Sequence, residues 1–421
     1  MRLFNIVSIQ KFIQAFLGFF TVLIISYQLD DLQQAAYFSL NSIYSAHSIL
    51  DLGLSVLIIQ VCAYWFFQEK DKTRVSNFFM SFLYKTQRWY MGLSLLCFLI
   101  FPLGYLYFIS ISDFAILSWQ LPLLLCIISM TLYLASIPYV SLLEGMNKIN
   151  EVYRIKILYY SIGTIFSWLI ICGPNPLYAV SMVPLTAAIV IYFFIINKNR
   201  DLFCNDRRAG SADTFPWKKN IWPMQKKVFL TYISNYIILF TPALIYSHFN
   251  EITLSAKTGV TLVVLNMINV LASSNLIAKT PEMTKQFALK NKKEGLAMFF
   301  EELKKTLFYT FFGFVILFLI KYCAPESFFI NRILPLSLLF FASLSFFVLQ
   351  YAASMNVLFR ANRDEFFYIE LIALNLLFLG LLKIGGFYYF EKNIFLLYFL
   401  ILMGFLITTV PRTFRFYKSL L

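Results

Sequence analysis

Apolar runs of about twenty residues, separated by short polar clusters, recur along the whole of this 421-residue chain. A helix needs roughly 20 apolar residues to span the hydrocarbon core of a bilayer, whereas barrel strands would show as alternating segments of about ten. The pattern predicts helices over 11–29, 36–67, 89–109, 114–142, 157–171, 177–196, 228–249, 258–278, 306–322, 333–358, 366–382 and 394–410. Between the sixth and seventh runs, residues 197–227 turn to Asn, Asp, Lys, Arg, Gly and Pro, the one extended polar linker. The fold class expected is therefore an all-α polytopic membrane protein. Its twelve transmembrane helices fall into two six-helix halves, 1–196 and 228–421, joined by the basic linker 197–227. A weak internal similarity supports the halves: 27–40 can be laid over 246–262, with Ala35 and Ala256 in matching turns. Six spans in each half would make them parallel repeats about an axis along the membrane normal.

The second run is unusual because it is thirty-two residues long and carries an acid near its centre, Asp51. Drawn as one helix, Asn41, Tyr44, Ser48, Asp51 and Ser55 share a face, and His47 stands one turn before Asp51, within its reach. A carboxylate at that depth is costly, so this face should turn to other helices or to a wet cavity, and Asp51 is a candidate functional residue.

Composition removes several classes. With 60% hydrophobic and 13% charged residues the chain cannot be an ordinary soluble globule. The net charge of +14 suggests nucleic acid until its distribution is read. Lys257, Lys321, Arg332, Lys383 and Lys392 fall on the side of Asp30, and the other 30 of the 35 Lys and Arg fall on the side of the linker. That split is the positive-inside pattern, which predicts both termini in the cytoplasm and no nucleic-acid partner. The first apolar run lacks a small-residue cleavage site and reads as a retained helix. The six cysteines form no Cys-x-x-Cys pair and read as apolar filler. The sequence has no phosphate-binding glycine loop, and its two histidines, His47 and His248, are far apart. A cofactor, a metal site and an enzyme activity are accordingly not expected, and a secondary transporter is.

Further polar stripes mark candidate walls. Lys11, Gln14, Gly18 and Thr21 share a face of the first helix; Asn235 lies on the seventh, which Thr241-Pro242 should kink. Asn266, Asn269 and Ser273 share a face of the eighth, flanked by Lys257 and Lys279. Arg154, Lys156, Arg360 and Arg363 close the ends of helices 5, 10 and 11. If helices 1, 2, 7 and 8 frame a cavity, its walls are amide and hydroxyl with cations at the mouths, which suits a polar anionic head group. The structural readings of the same residues are helix-to-helix glue for the stripes, topology anchors for the arginines and snorkelling for Lys279.

At Leu50-Asp51-Leu52-Gly53-Leu54-Ser55, in a long second helix, the chain resembles bacterial Wzx-type O-antigen and polysaccharide flippases of the multidrug/oligosaccharidyl-lipid/polysaccharide (MOP) exporter superfamily. The stretch 256–281, ending Ala278-Lys279-Thr280-Pro281, is similar to the eighth-helix region of polysaccharide exporters. The resemblance implies a MATE-like MOP fold in the bacterial inner membrane. It also implies a flippase that carries an undecaprenyl-pyrophosphate-linked oligosaccharide from the cytoplasmic to the periplasmic leaflet, coupled to protons or sodium ions. Its partners would be membrane lipid, a polysaccharide polymerase and other assembly proteins. On this view Lys257 and Lys279 attract the head group, Asn266 and Asn269 contact sugar, and Asn235, Gln14, Arg154 and Arg360 add substrate contacts. Asp51 with His47 would couple or gate. The rival expectations are a multidrug or small-solute exporter of the same superfamily and a membrane-embedded glycan polymerase.

Overall fold

A computed structural model describes residues 2–68, 72–146, 148–197, 221–288, 291–361, 367–389 and 392–420. It is all-helical among those residues. In the first half run α1 (Arg2–Gln28), α2 (Asp31–Ser45), α3 (His47–Leu50), α4 (Leu54–Gln68), α5 (Lys72–Leu96), α6 (Ile100–Ser110), α7 (Gln120–Gly145), α8 (Ile149–Ile171) and α9 (Met182–Val190). In the second run α10 (Trp222–His248), α11 (Ile252–Ala288), α12 (Lys292–Cys323), α13 (Phe328–Asn331), α14 (Leu336–Ala361), α15 (Tyr368–Leu381), α16 (Phe387–Tyr389) and α17 (Ile394–Leu420). Ten helical segments are long and apolar enough to cross a bilayer, and two bent helix pairs bring the total to twelve among the described residues. Within the linker, residues 198–220 lie outside the described residues, as does Arg363.

Several helices overrun the apolar pattern. The ninth run, expected over 306–322, is the end of α12, which begins at Lys292; the eighth, expected over 258–278, is part of the 37-residue α11. At 1.5 Å per residue α11 is about 55 Å long, far more than the bilayer core. Hydropathy marks the membrane, but Lys, Glu and Gln are good helix formers and continue the backbone ladder into water.

The second run is not the single helix expected. It breaks at 51–53, where Leu52 and Gly53 both take positive φ (53° and 65°), and the segments on either side are bent by 42°. Opposite it, Trp222–Ile237 and Leu239–His248 within α10 are bent by 43°. Pro242 cannot donate to the carbonyl four residues earlier, which places this kink where Thr241-Pro242 predicts one. In the same turn Thr241 Oγ1 donates back to the Ile237 carbonyl.

The halves meet along α1, α2, α10 and α11. Gly259 of α11 lies against Phe38 of α2 so closely that a Cβ there would come within 2.1 Å of the ring. The Tyr236 hydroxyl of α10 donates to the Ser42 carbonyl of α2 at 3.1 Å, and the Tyr107 hydroxyl of α6 donates to the Leu244 carbonyl at 3.2 Å. Bent α2 and bent α10 thus carry the seam. At the start of α2, Asp30 forms a capping box with Gln33, accepting from its backbone N–H at 2.7 Å, which leaves Asp31 to reach outward.

Candidate functional site

A cavity of about 300 Å³ opens inside the first half, between α1, α2, α7, α8 and α9. Its polar wall is unusually aromatic: Tyr37 and Tyr44 from α2, Tyr133 from α7, Tyr159 and Tyr160 from α8, and His47 from α3. Asn41, Thr21, Thr164 and Ser167 add amide and hydroxyl groups. No carboxylate or cationic side chain is among the wall residues described.

Local geometry explains the wall. Tyr37, Asn41 and Tyr44 are spaced by four and three residues and so share one face of α2. Tyr160, Thr164 and Ser167 do the same on α8. Many of the hydroxyls are already anchored. Thr21 Oγ1 accepts from the Trp168 indole at 2.8 Å and donates to the Leu17 carbonyl at 2.8 Å; Ser167 donates to the Ala179 carbonyl at 3.0 Å. A His47 Nδ1 contact with the Tyr44 carbonyl at 2.8 Å holds the imidazole between the rings of Tyr44 and Tyr133, 4.7 and 5.5 Å away. Tyr133 hydrogen-bonds to Tyr159 and lies within electrostatic range of Tyr160 and the Asp51 carboxyl.

Asp51 itself sits behind this wall, at the break in the second span. It is 4% exposed. Ser55 Oγ donates to one of its oxygens at 2.7 Å, and the fully buried Tyr90 hydroxyl of α5 donates to the other. The adjoining Gly53 faces Val228 and Tyr232 of α10, so the buried acid lies beside the seam between the halves. The expectation that His47 is its partner fails. The turn at 51–53 swings the carboxylate toward α5, while the imidazole points into the cavity, and only the backbone links them, through the Asp51 amide and the His47 carbonyl at 2.8 Å. For the same reason the stripe from Asn41 to Ser55 is not one face: Asn41 and Tyr44 line the cavity, and Asp51 and Ser55 face each other behind it.

The other sequence candidates are dispersed. Among the ten named site residues His47 alone is in the cavity wall. Helices 7 and 8 of the sequence scheme, α10 and α11, contribute no lining residue, because the cavity lies within one half and not between two. Lys279 lies away from the cavity and is paired: its ammonium is 2.7 Å from Glu302, which is 1% exposed and also receives Lys305 at 3.0 Å. Lys257 lies near the start of α11 within repulsive range of Lys321. Asn266 is exposed, Asn269 is buried with its amide oxygen unsatisfied, and Asn235 is half-buried. Gln14 accepts from Gln10 at 3.2 Å and from Lys11 at 3.5 Å. Arg154 is exposed and Arg360 lies over the Tyr232 ring at 5.8 Å. Lys156 pairs with Glu144 at 3.1 Å. The residues that sequence reasoning passes over include Tyr37, Tyr90, Tyr133, Tyr159, Tyr160, Thr164 and Ser167. Tyr160, Thr164 and Ser167, recurring at four and three residues in an apolar helix, are the available signal.

No family model matches the chain, and no curated protein matches it by sequence. Solved structures do match its fold over nearly all its length. One is a multidrug-resistance MATE family transporter of the MOP superfamily in an outward-facing conformation, with a TM-score of 0.69 at 13% identity, covering 99% of this chain and 96% of that one. Another is the MATE multidrug transporter DinF-BH, with a TM-score of 0.70 at 12% identity over 98% and 95%. A third is a MOP superfamily transporter from Pyrococcus furiosus Vc1 (DSM3638), described as having a binding pocket of reversed polarity, with a TM-score of 0.68 at 14% identity over 100% and 95%. The chain has the MATE-like MOP fold.

Proposed function

We propose that this protein is a secondary transporter that moves an undecaprenyl-pyrophosphate-linked oligosaccharide from the cytoplasmic to the periplasmic leaflet by alternating access. The observation that carries this reading is the chemistry of the cavity: five tyrosines, an asparagine, a histidine and three aliphatic hydroxyls, with no charge. Sugar rings present flat C–H faces and many hydroxyls, so they suit aromatic walls edged by donors and acceptors, whereas a cationic drug gains most from a carboxylate. At about 300 Å³ the cavity is at the small end of ligand pockets and would take part of a glycan at a time. The polyprenyl tail would stay in lipid. Asp51 is the coupling or gating group in this scheme, with Tyr90 and Ser55 as its partners and His47 as a cavity ligand. The chain performs no bond chemistry, and its membrane is the bacterial inner membrane with both termini cytoplasmic.

One observation favours a second reading. The π faces of Tyr44, Tyr133 and Tyr159 could attract an organic cation, as aromatic cages do, which supports export of cationic solutes. Both readings meet one experiment: leaflet translocation of a fluorescent undecaprenyl-pyrophosphate oligosaccharide in proteoliposomes, with and without an ion gradient, in competition with a cationic dye. Movement above protein-free liposomes that dye does not inhibit supports the flippase. Dye transport with a static glycan overturns it.

A further inference from the structure

We propose that Asp31 and Arg332, with the aromatic rings beside them, form a releasable clasp between the two halves at the end of the molecule that carries the Asp31 turn. This inference rests on the alternating-access reading. Arg332 Nη1 donates to Asp31 Oδ1 across the seam, linking the start of α2 to the turn after α13. On the same flank Phe328 packs edge-on against Tyr27 at 5.5 Å and Phe329 against Phe19 at 5.8 Å, so α13 lies on α1. The Arg332 guanidinium also lies over the Phe328 ring at 5.7 Å, which ties the ion pair to the ring contacts.

The clasp has a rigid back and a weak front. Behind it, the buried Lys321 ammonium donates to the carbonyls of Ile330 and Ile333 at 2.6 and 3.2 Å, and Thr261 Oγ1 accepts from the Leu334 amide at 3.0 Å. These bonds fasten α13 to its own half, so it moves with that half. In front, Arg332 and Asp31 are 24% and 38% exposed, and the rings of Tyr27 and Phe328 are largely exposed. A pair so exposed, at the ends of its helices, is weak, as a contact that must open in every cycle requires. The charge cluster at Lys279 is the contrast: its Glu302 side chain is 2% exposed, and breaking it would strand a buried charge. The other flank of the seam is closed by a neutral contact, Tyr107 to the Leu244 carbonyl, so the charged lock described here is on one side.

The test is access to the seam. Ser39, fully buried on α2 beside Tyr107, becomes a reporter as Ser39→Cys in the full chain with its native cysteines replaced by alanine, labelled by a membrane-impermeant maleimide from the Asp31 side. Asp31→Asn or Arg332→Gln should raise the labelling rate roughly fivefold, the shift that a partly exposed pair can hold. The swap Asp31→Arg with Arg332→Asp should return it to the parent rate. In the parent, raising ionic strength from about 0.01 M to about 1 M, which shortens the Debye length from ~30 to ~3 Å, should raise labelling as well, and should do nothing further in Asp31→Asn. That salt arm needs no folded variant beyond the reporter. A reporter that labels at one rate in every variant and salt overturns the clasp alone. One that never labels in a folded protein overturns the alternating-access reading beneath it.

Discussion

Asp51 is a carboxylate whose two oxygens are each held by a hydroxyl, and nothing cationic is described within bonding distance of it. That arrangement hides an acid in an apolar bundle without an ion pair, and it makes Tyr90 as important as Asp51. Tyr90→Phe should lower thermal stability in detergent by about 1 kcal/mol, because it strands one carboxylate oxygen. Combined with Asp51→Asn, the loss should be smaller than the sum of the two, since both changes break one contact. Asp51→Asn should also abolish most gradient-driven transport while the protein remains folded in the membrane; normal transport by that variant would remove the coupling role. In the cavity, Tyr159→Phe keeps the ring and deletes the hydroxyl. For a glycan it should weaken half-saturation by roughly tenfold, the value of one hydrogen bond of about 1.4 kcal/mol, while leaving dye binding intact. The reverse outcome would favour a cation-binding cage.

At the scale of elements, the break in the second span decides where the chemistry points. Gly53 has φ 65°, and a Cβ there would come within 2.1 Å of Val228. Two costs are therefore stacked at one position: a left-handed backbone, about 1–2 kcal/mol for a residue with a side chain, and a clash with the other half. Gly53→Ala should destabilise the protein, and adding Val228→Ala should recover only the clash. Full recovery, read by thermal unfolding, would mean that the helix straightens freely and that the turn is not held by the fold. Gly259 against Phe38 is the corresponding contact higher on α2, and Gly259→Leu should force the halves apart there.

At the scale of the whole molecule, the twelve spans place the exposed Cys172 and Cys323 at the end that carries Asp31, and the buried Cys62, Cys97 and Cys126 inside. Read with the basic-residue count, this predicts that an impermeant maleimide added to intact cells labels Cys172 and Cys323, whereas Cys204 of the linker reacts only after permeabilisation. Labelling of Cys204 from outside would invert the topology. The two halves differ in content as well as position: the first holds the tyrosine cavity, and α12 in the second carries the buried Glu302 cluster. Under the proposed function, the half that holds the cavity and the half braced by charge would rock as two bodies about the seam formed by α1, α2, α10 and α11.

Apolar run lengths and the lopsided Lys and Arg count fix the number of spans, because lipid cannot satisfy backbone polar groups and so dictates helix length regardless of partners. Asp51 and the Thr241-Pro242 kink are legible for the same kind of reason, since a buried acid and a missing amide act locally. The site is not. Periodicity assigns Asn41, Tyr44, Asp51 and Ser55 to one face, and that inference assumes a continuous helix; the positive φ at Leu52 and Gly53, held against Val228 of the other half, is a tertiary contact. Lys279 looks free in sequence because Glu302 is 23 residues away on the next helix. Which tyrosines converge, and that they do so inside one half, depends on how α2, α7 and α8 turn against each other. Membrane helices carry much of their specificity in those close contacts, so the sequence by itself determined the candidate spans, and packing alone decided the cavity and the acid's partners.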